Sequence, residues 1–217
     1  MNSPIIQLLV LAGIAIFLIL RLKSVLGTRD GFEPTAQPAP EKTTDRPKFD
    51  VIDGGADDDI ADHVDKGTPA FAALKSMKQA EPDFSLTEFL RGARGAYEMI
   101  LMGFENGDMD QIRPFLSQDV ADSFEQVINA RTEQGLQVDA EFIGIRELTV
   151  AHAEFDPSTR MGEVTIRYVA EITSEVRNAD GEVVDGGTAP KRLKDVWTFA
   201  RVMGSDDPNW QLVATGE

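Results

Sequence analysis

Apolar residues fill nearly every position from Ile5 to Leu20, with Gln7 the one polar interruption. Counted from Pro4 to Leu22, the stretch predicts a helix of about 18 residues, roughly 27 Å long, against a hydrocarbon core of about 30 Å. It is apolar all round, whereas a surface helix carries one apolar stripe. No charged side chain precedes it, and Arg21, Lys23 and Arg29 follow it closely. The charge bias predicts a retained single span with the N-terminus outside and the rest of the chain in the cytoplasm. A cleaved signal peptide would show a basic segment ahead of the apolar run and small residues at a cleavage site. An Arg- and Ser-rich transit sequence is absent as well, which favours the inner membrane of a bacterium. The anchor is therefore assigned to residues 1–23.

From residue 24 to residue 67 no apolar period is sustained. Pro34, Pro38, Pro40 and Pro47 break helices, and Asp57, Asp58 and Asp59 form an acidic run. This predicts an acidic, disordered tether with a typical reach of about 35 Å. Within it, residues 49–52 form a small apolar island that reads as a docking motif or as a chance cluster.

The folded domain is expected over residues 68–217. A short helix is predicted from Pro69 to Gln79, with Phe71, Leu74 and Met77 on one face, ended by Pro82. Ser85 then reads as an N-cap with Glu88 three residues on, and Phe84 and Phe89 hold the staple positions. Leu86, Phe89, Leu90, Ala93, Tyr97, Ile100, Leu101 and Phe104 recur at helical spacing, and Gly107 fits the stop. Gly92, Gly95 and Gly103 inside this helix each cost about 1 kcal/mol relative to Ala, so they imply either close backbone approach or a loosely held helix. A short helix from Asp108 to Arg113 and a longer one from Ser117 to Gln134 follow. The latter should turn Val120, Phe124, Val127 and Ile128 inward.

Beyond Leu136 the period changes from 3.6 to 2. Val164, Ile166, Tyr168, Ala170 and Ile172 alternate with Thr165, Arg167, Glu171 and Thr173, the pattern of a half-buried strand. Further strands are predicted at Val138–Phe155 with a bend at Gly144, at Lys191–Met203 and at Trp210–Thr215, with turn chemistry from Asn178 to Gly181. Helices followed by consecutive strands give an α+β class, with helices packed on an antiparallel sheet.

Composition then narrows the function. The chain has 217 residues, of which 42% are hydrophobic, enough for one sizeable core. With no cysteine, a disulfide framework, thiol catalysis and thiolate metal sites are excluded. A net charge of −16 disfavours nucleic acid as a partner. The two histidines, His63 and His152, do not stand at metal-ligand spacing, and His152 reads as a strand-surface or satisfied core residue. Gly181–Thr188 superficially resembles a phosphate loop, but Gly187 stands where lysine is needed, and Glu182 and Asp185 would repel phosphate. No nucleophile elbow occurs. No metal or cofactor is expected.

Two segments carry a family resemblance. FLRGARGAYEMILMGFENGDMDQIRPFL is similar to the helical half of the C-terminal domain of mitochondrial inner-membrane translocase subunit forty-four, and DVWTFARVMGSDDPNWQLVAT resembles the family's closing strands in its bacterial relatives. The resemblance covers residues 84–215. It implies a fold similar to nuclear transport factor two, a curved antiparallel sheet with helices closing a large apolar pocket. It also implies a scaffold that tethers partners at an inner membrane. In the mitochondrial protein the part that recruits a heat-shock chaperone lies N-terminal to this domain. Here that position holds the span and tether, so no residue carries chaperone binding across.

The expected function is a membrane-anchored adaptor, not an enzyme, that holds a protein partner of translocation, chaperone or membrane-protein biogenesis machinery. The alternative is a pocket for lipid or a small apolar ligand, and less so an isomerase-like enzyme, for which a buried acid must face Tyr97 or Tyr168. The pocket candidates are Tyr97, Leu101, Phe104, Phe124, Phe142, Ile166, Tyr168, Trp197 and Phe199. Lys191, Arg192 and Lys194 form a basic cluster that either meets lipid phosphates or pairs with acids such as Glu171 and Glu175.

Overall fold

The computed structural model describes residues 58–216. The expected span and most of the expected tether lie outside these residues. Among the described residues, no helix is long and apolar enough to cross a membrane.

Four of the five described α-helices begin where a side chain satisfies one of the first free N–H groups. Helix α1 (Asp58–Ala61) is one turn. Helix α2 (Pro69–Ala80) opens on Thr68, whose hydroxyl accepts from Phe71 N at 3.2 Å, with Pro69 in the first position. Helix α3 (Leu86–Asn106) opens on Ser85, which accepts from Glu88 N, and stops at Gly107, whose φ of 72° is left-handed. The Glu88 carboxylate pairs with Arg91. Asp108 caps α4 (Met109–Ile112), which continues into a 3-10 turn at Arg113–Phe115. Ser117 caps α5 (Gln118–Glu133).

Four strands follow: β1 (Gln137–Asp156), β2 (Met161–Arg177), β3 (Val183–Val202) and β4 (Gln211–Gly216). They form one antiparallel meander in the order β1-β2-β3-β4. Three register irregularities in β1, the first beside Gly144, curve the sheet. The inner face of β2 is the predicted one: Val164, Ile166, Tyr168, Ala170 and Ile172 are all buried, and the helices pack there. The α+β class is thus as expected.

Three details differ from the sequence reading, and a fourth resolves an alternative that it left open. Residues 58–67, expected in the tether, belong to the fold: Ile60 is fully buried, and the Asp59 carboxylate accepts from Leu86 N at 2.8 Å and Thr87 N at 3.0 Å. Val127 is 44% exposed, because α5 buries Val120 and Ala121 and leaves its far side to solvent. Strand β3 begins at Val183, since β2 runs on to Arg177 and offers it a partner. The three glycines of α3 split between causes. A Cβ at Gly103 would lie 2.3 Å from Ile112 Cγ2, whereas at Gly92 and Gly95 it would meet nothing within 4 Å. Gly103 is a close approach, and the other two border open space.

Candidate functional site

Most of the apolar set expected to line a cavity packs together in the core. Tyr97, Ile166 and Tyr168 are fully buried, and Leu101, Trp197 and Phe199 nearly so. The Tyr97 and Tyr168 rings stack at 4.2 Å with 17° between their planes. Trp197 closes on Tyr97 at 4.6 Å and Phe142 flanks it at 6.2 Å. Phe104 and Phe124 pack together at 4.5 Å beneath Arg131, whose guanidinium lies 4.6 Å over the Phe104 ring. Tyr97, Leu101, Ile166, Tyr168, Trp197 and Phe199 are core, and Phe104, Phe124 and Phe142 pack against it half-buried, with Phe104 bordering a smaller depression. A helix period reports which side chains turn inward but not whether the space between them is full.

The structure supplies the acid that sequence could not identify. The Tyr97 hydroxyl donates to Asp195 Oδ2, and the Tyr168 hydroxyl donates to the Ala93 carbonyl at 3.1 Å. Burial, then the Asp195 carboxylate, pushes the Tyr97 phenol far up, and burial does the same to Tyr168. Proton-transfer chemistry would need this acid and phenol to face a ligand-sized space. Neither Tyr97 nor Asp195 borders the cleft described next. Asp195 is half-buried, and its bond to Tyr97 ties β3 to α3.

An open cleft of about 680 Å³ runs along the other side of α3. Its volume falls in the roughly 300–1,000 Å³ range of ligand sites. The aromatic floor is Phe89, Phe199 and Trp210: Phe89 lies 4.6 Å from Trp210 and meets Phe199 edge-on at 6.2 Å. Phe84 reaches Trp210 at 6.0 Å, so both staple residues clamp this tryptophan. One wall is the α3 stripe of Gly92, Gly95, Ala96 and Met99, and Phe115 also lines the space. The missing side chains of Gly92 and Gly95 widen the space, which gives a reason for the helix cost they carry.

A charged clip holds one end of the cleft. Arg201 is 8% exposed at its side chain, donates to Glu81 Oε1 at 2.5 Å and lies 5.4 Å over the Trp210 ring. Glu81 Oε2 also accepts from Gly204 N at 2.6 Å. Burial opposes the Glu81 charge, but Arg201 and Gly204 outweigh it and hold the carboxyl below its ordinary value. Asp83 and Glu88 add negative charge to the rim.

The remaining candidates disperse. Lys191 lies close enough to Glu105 to act on its carboxyl. Arg192 and Lys194 border a separate depression with Arg167 and Glu147 on the sheet's other face. Glu171 accepts from Arg146 at 3.0 and 2.6 Å and from Arg192 at 3.5 Å, the cross-strand pairing anticipated. His152 is exposed and lies 2.8 Å from Glu154, a strand-surface residue. Among the described residues, no group of His, Asp and Glu is arranged to hold a metal. Arg21, Lys23 and Arg29 lie outside the described residues. Of the nine pocket candidates only Phe199 borders the large cleft. Phe84, Phe115 and Trp210 were missed there, and the glycines at 92 and 95 were the one signal pointing to it.

With this geometry in place, comparison with known proteins narrows the setting. A family model described as the Tim44-like domain matches residues 70–217. The chain is 24% identical over 125 residues to mitochondrial import inner membrane translocase subunit TIM44-1 of Arabidopsis thaliana, covering 56% of this chain. It spans only 25% of that relative's length. The intermembrane-space region of the chloroplast protein ARC6 aligns over 58% of this chain and 94% of its own, at 10% identity and a TM-score of 0.41.

Proposed function

This chain belongs to the Tim44-like domain family, and from that premise we propose that it is a membrane-anchored adaptor in protein translocation, with the α3 cleft as the surface that holds a protein partner. The observation that carries the reading is an apolar cleft bordered by two glycines of a helix whose inward residues are buried. Apolar floors with aromatic anchors are where binding energy concentrates at protein interfaces. The matching plant protein is named for the mitochondrial import inner membrane, and the same kind of setting is proposed here. Residues 1–23 form the proposed anchor, and residues 24–57 the tether that keeps the domain near the cytoplasmic face of the bacterial inner membrane. The proposed role involves no chemistry of the chain's own, in keeping with a cleft that neither Tyr97 nor Asp195 lines.

A second reading is a lipid or small apolar ligand in the same cleft, favoured by its size and aromatic floor. A photo-crosslinking side chain at Gly95, with the same group at the exposed Glu141 as control, separates the two. The adaptor reading expects a discrete protein adduct from Gly95 alone. Identical adducts from both positions, or none from Gly95, would remove it. A lipid adduct from Gly95 alone would favour the second reading.

A further inference from the structure

Strand β4 covers only part of the edge that β3 offers it. The two pair over residues 196–200, whereas β3 begins at Val183. Among the described residues, no strand or loop pairs with residues 183–194 on that side. Half of this open edge is blunted. Thr188, Ala189 and Pro190 bulge opposite Thr173, and proline has no N–H to give. Residues 191–194 carry no such break and run in register with Ile172, Glu171, Ala170 and Val169 of β2. Their outward backbone groups are a template for one more strand.

Alternation along this run decides what such a strand must carry. Leu193 lies opposite the buried Ala170 and Asp195 opposite the buried Tyr168, so both turn to the inner face. Arg192 and Lys194 turn to the outer face, where they border the depression with Arg167 and Val169. Arg192 reaches Glu171 only at 3.5 Å, and Arg146 already holds that carboxylate at 2.6 Å. We propose that β3 takes an extended acidic segment of a partner protein as an added strand at residues 191–194, with acid, apolar residue and acid in successive positions. The two acids meet Arg192 and Lys194 as cross-strand pairs, and the apolar residue lies beside Leu193. Backbone hydrogen bonds supply affinity and the alternation supplies selection. Basic side chains on an edge turn away most strands, and an acidic strand is the kind they admit. A second copy does not fit, because antiparallel pairing about Leu193 sets Arg192 against Lys194. This edge shares no residue with the α3 cleft and works whatever occupies the cleft.

The test uses the full-length chain in non-ionic detergent micelles and short fluorescent peptides read by anisotropy. One peptide carries glutamate, valine and glutamate in succession between threonines. A second has the same composition with the two glutamates adjacent, and a third replaces both glutamates of the first by lysine. The alternating acidic peptide should bind roughly tenfold tighter than the reordered one, the worth of two cross-strand charge pairs. Its binding should slow hydrogen exchange of the backbone amides at residues 191–194. A chain carrying Arg192→Glu and Lys194→Glu should lose the acidic peptide and gain the lysine one. Equal binding of the two acidic peptides would reduce the patch to unselective attraction for anions, lipid headgroups included, and would overturn the proposal. So would protection confined to other amides. So would a reversed chain with the parent's unfolding midpoint that still takes the acidic peptide or refuses the lysine one.

Discussion

The carboxylate of Asp59 caps a helix that begins 27 residues later, accepting the backbone N–H of Leu86 at 2.8 Å. Thr87 N adds a second bond at 3.0 Å, and Lys78 Nζ lies 3.3 Å from the same carboxylate. A negative charge also suits the positive end of α3. Asp59→Ala should therefore cost about 1–2 kcal/mol, in the range of lost helix caps. Both tryptophans of the chain, Trp197 and Trp210, lie in this domain, so their fluorescence in urea reads its unfolding. A midpoint unchanged from the parent would refute the cap.

The same contacts set an acid dependence. Burial raises the Asp59 carboxyl, but hydrogen bonds from Thr87, Leu86 and Lys78 outweigh it and leave it well below its ordinary 3.8. Glu81 is likewise held below its ordinary 4.5. A folded value below the unfolded one means that the unfolded state binds more protons in that window. The stabilisation is whole above the unfolded values and is lost as pH falls through the folded ones. The parent should lose stability as pH drops below about 4.5. An Asp59→Asn, Glu81→Gln chain should start less stable at neutral pH and show a flatter acid limb. Parallel curves for the two chains would contradict the assignment.

The glycines of α3 should respond with opposite signs. Gly103→Ala drives a methyl to 2.3 Å from Ile112 Cγ2 and should cost about 1–3 kcal/mol through overpacking. Gly92→Ala and Gly95→Ala meet open space and should each gain up to about 1 kcal/mol of helix propensity. Thermal unfolding of the three single variants checks the pattern. Destabilisation at Gly92 would show that the helix there is tighter than its surroundings indicate.

Tyr168→Phe removes the hydroxyl that donates to the Ala93 carbonyl at 3.1 Å and keeps the ring stack with Tyr97. The expected loss is about 1 kcal/mol. Tyr97→Phe takes away the hydroxyl bonded to Asp195, a charge-assisted bond, and should cost more, about 1.5–3 kcal/mol. Urea unfolding of both variants tests the order. Equal or reversed losses would mean that the Asp195 bond adds nothing.

Local signals made much of the fold legible. Ser85, Gly107 and the 3.6 period mark α3 because caps and periodicity act within a few residues. The alternation in β2 marks its buried face, down to Tyr168 meeting Tyr97. Asp59 was illegible because its partners are remote in sequence, and an acidic run elsewhere usually faces water. The expected cavity failed for a related reason: inward-facing side chains close a void or line one depending on packing that no period encodes. The actual cleft left a trace only in glycines placed where a helix gains nothing from them.

The most direct test of the adaptor account fills the cleft without harming the fold. Gly92→Leu and Gly95→Leu introduce side chains where a Cβ meets nothing within 4 Å. Membranes from cells carrying the doubly substituted full-length chain are crosslinked beside those carrying the parent, and the attached proteins are identified by mass spectrometry. The account predicts an unfolding midpoint at least as high as the parent's and loss of the partner that the parent captures. A stable, cleft-filled chain that captures the same partner equally well would contradict it.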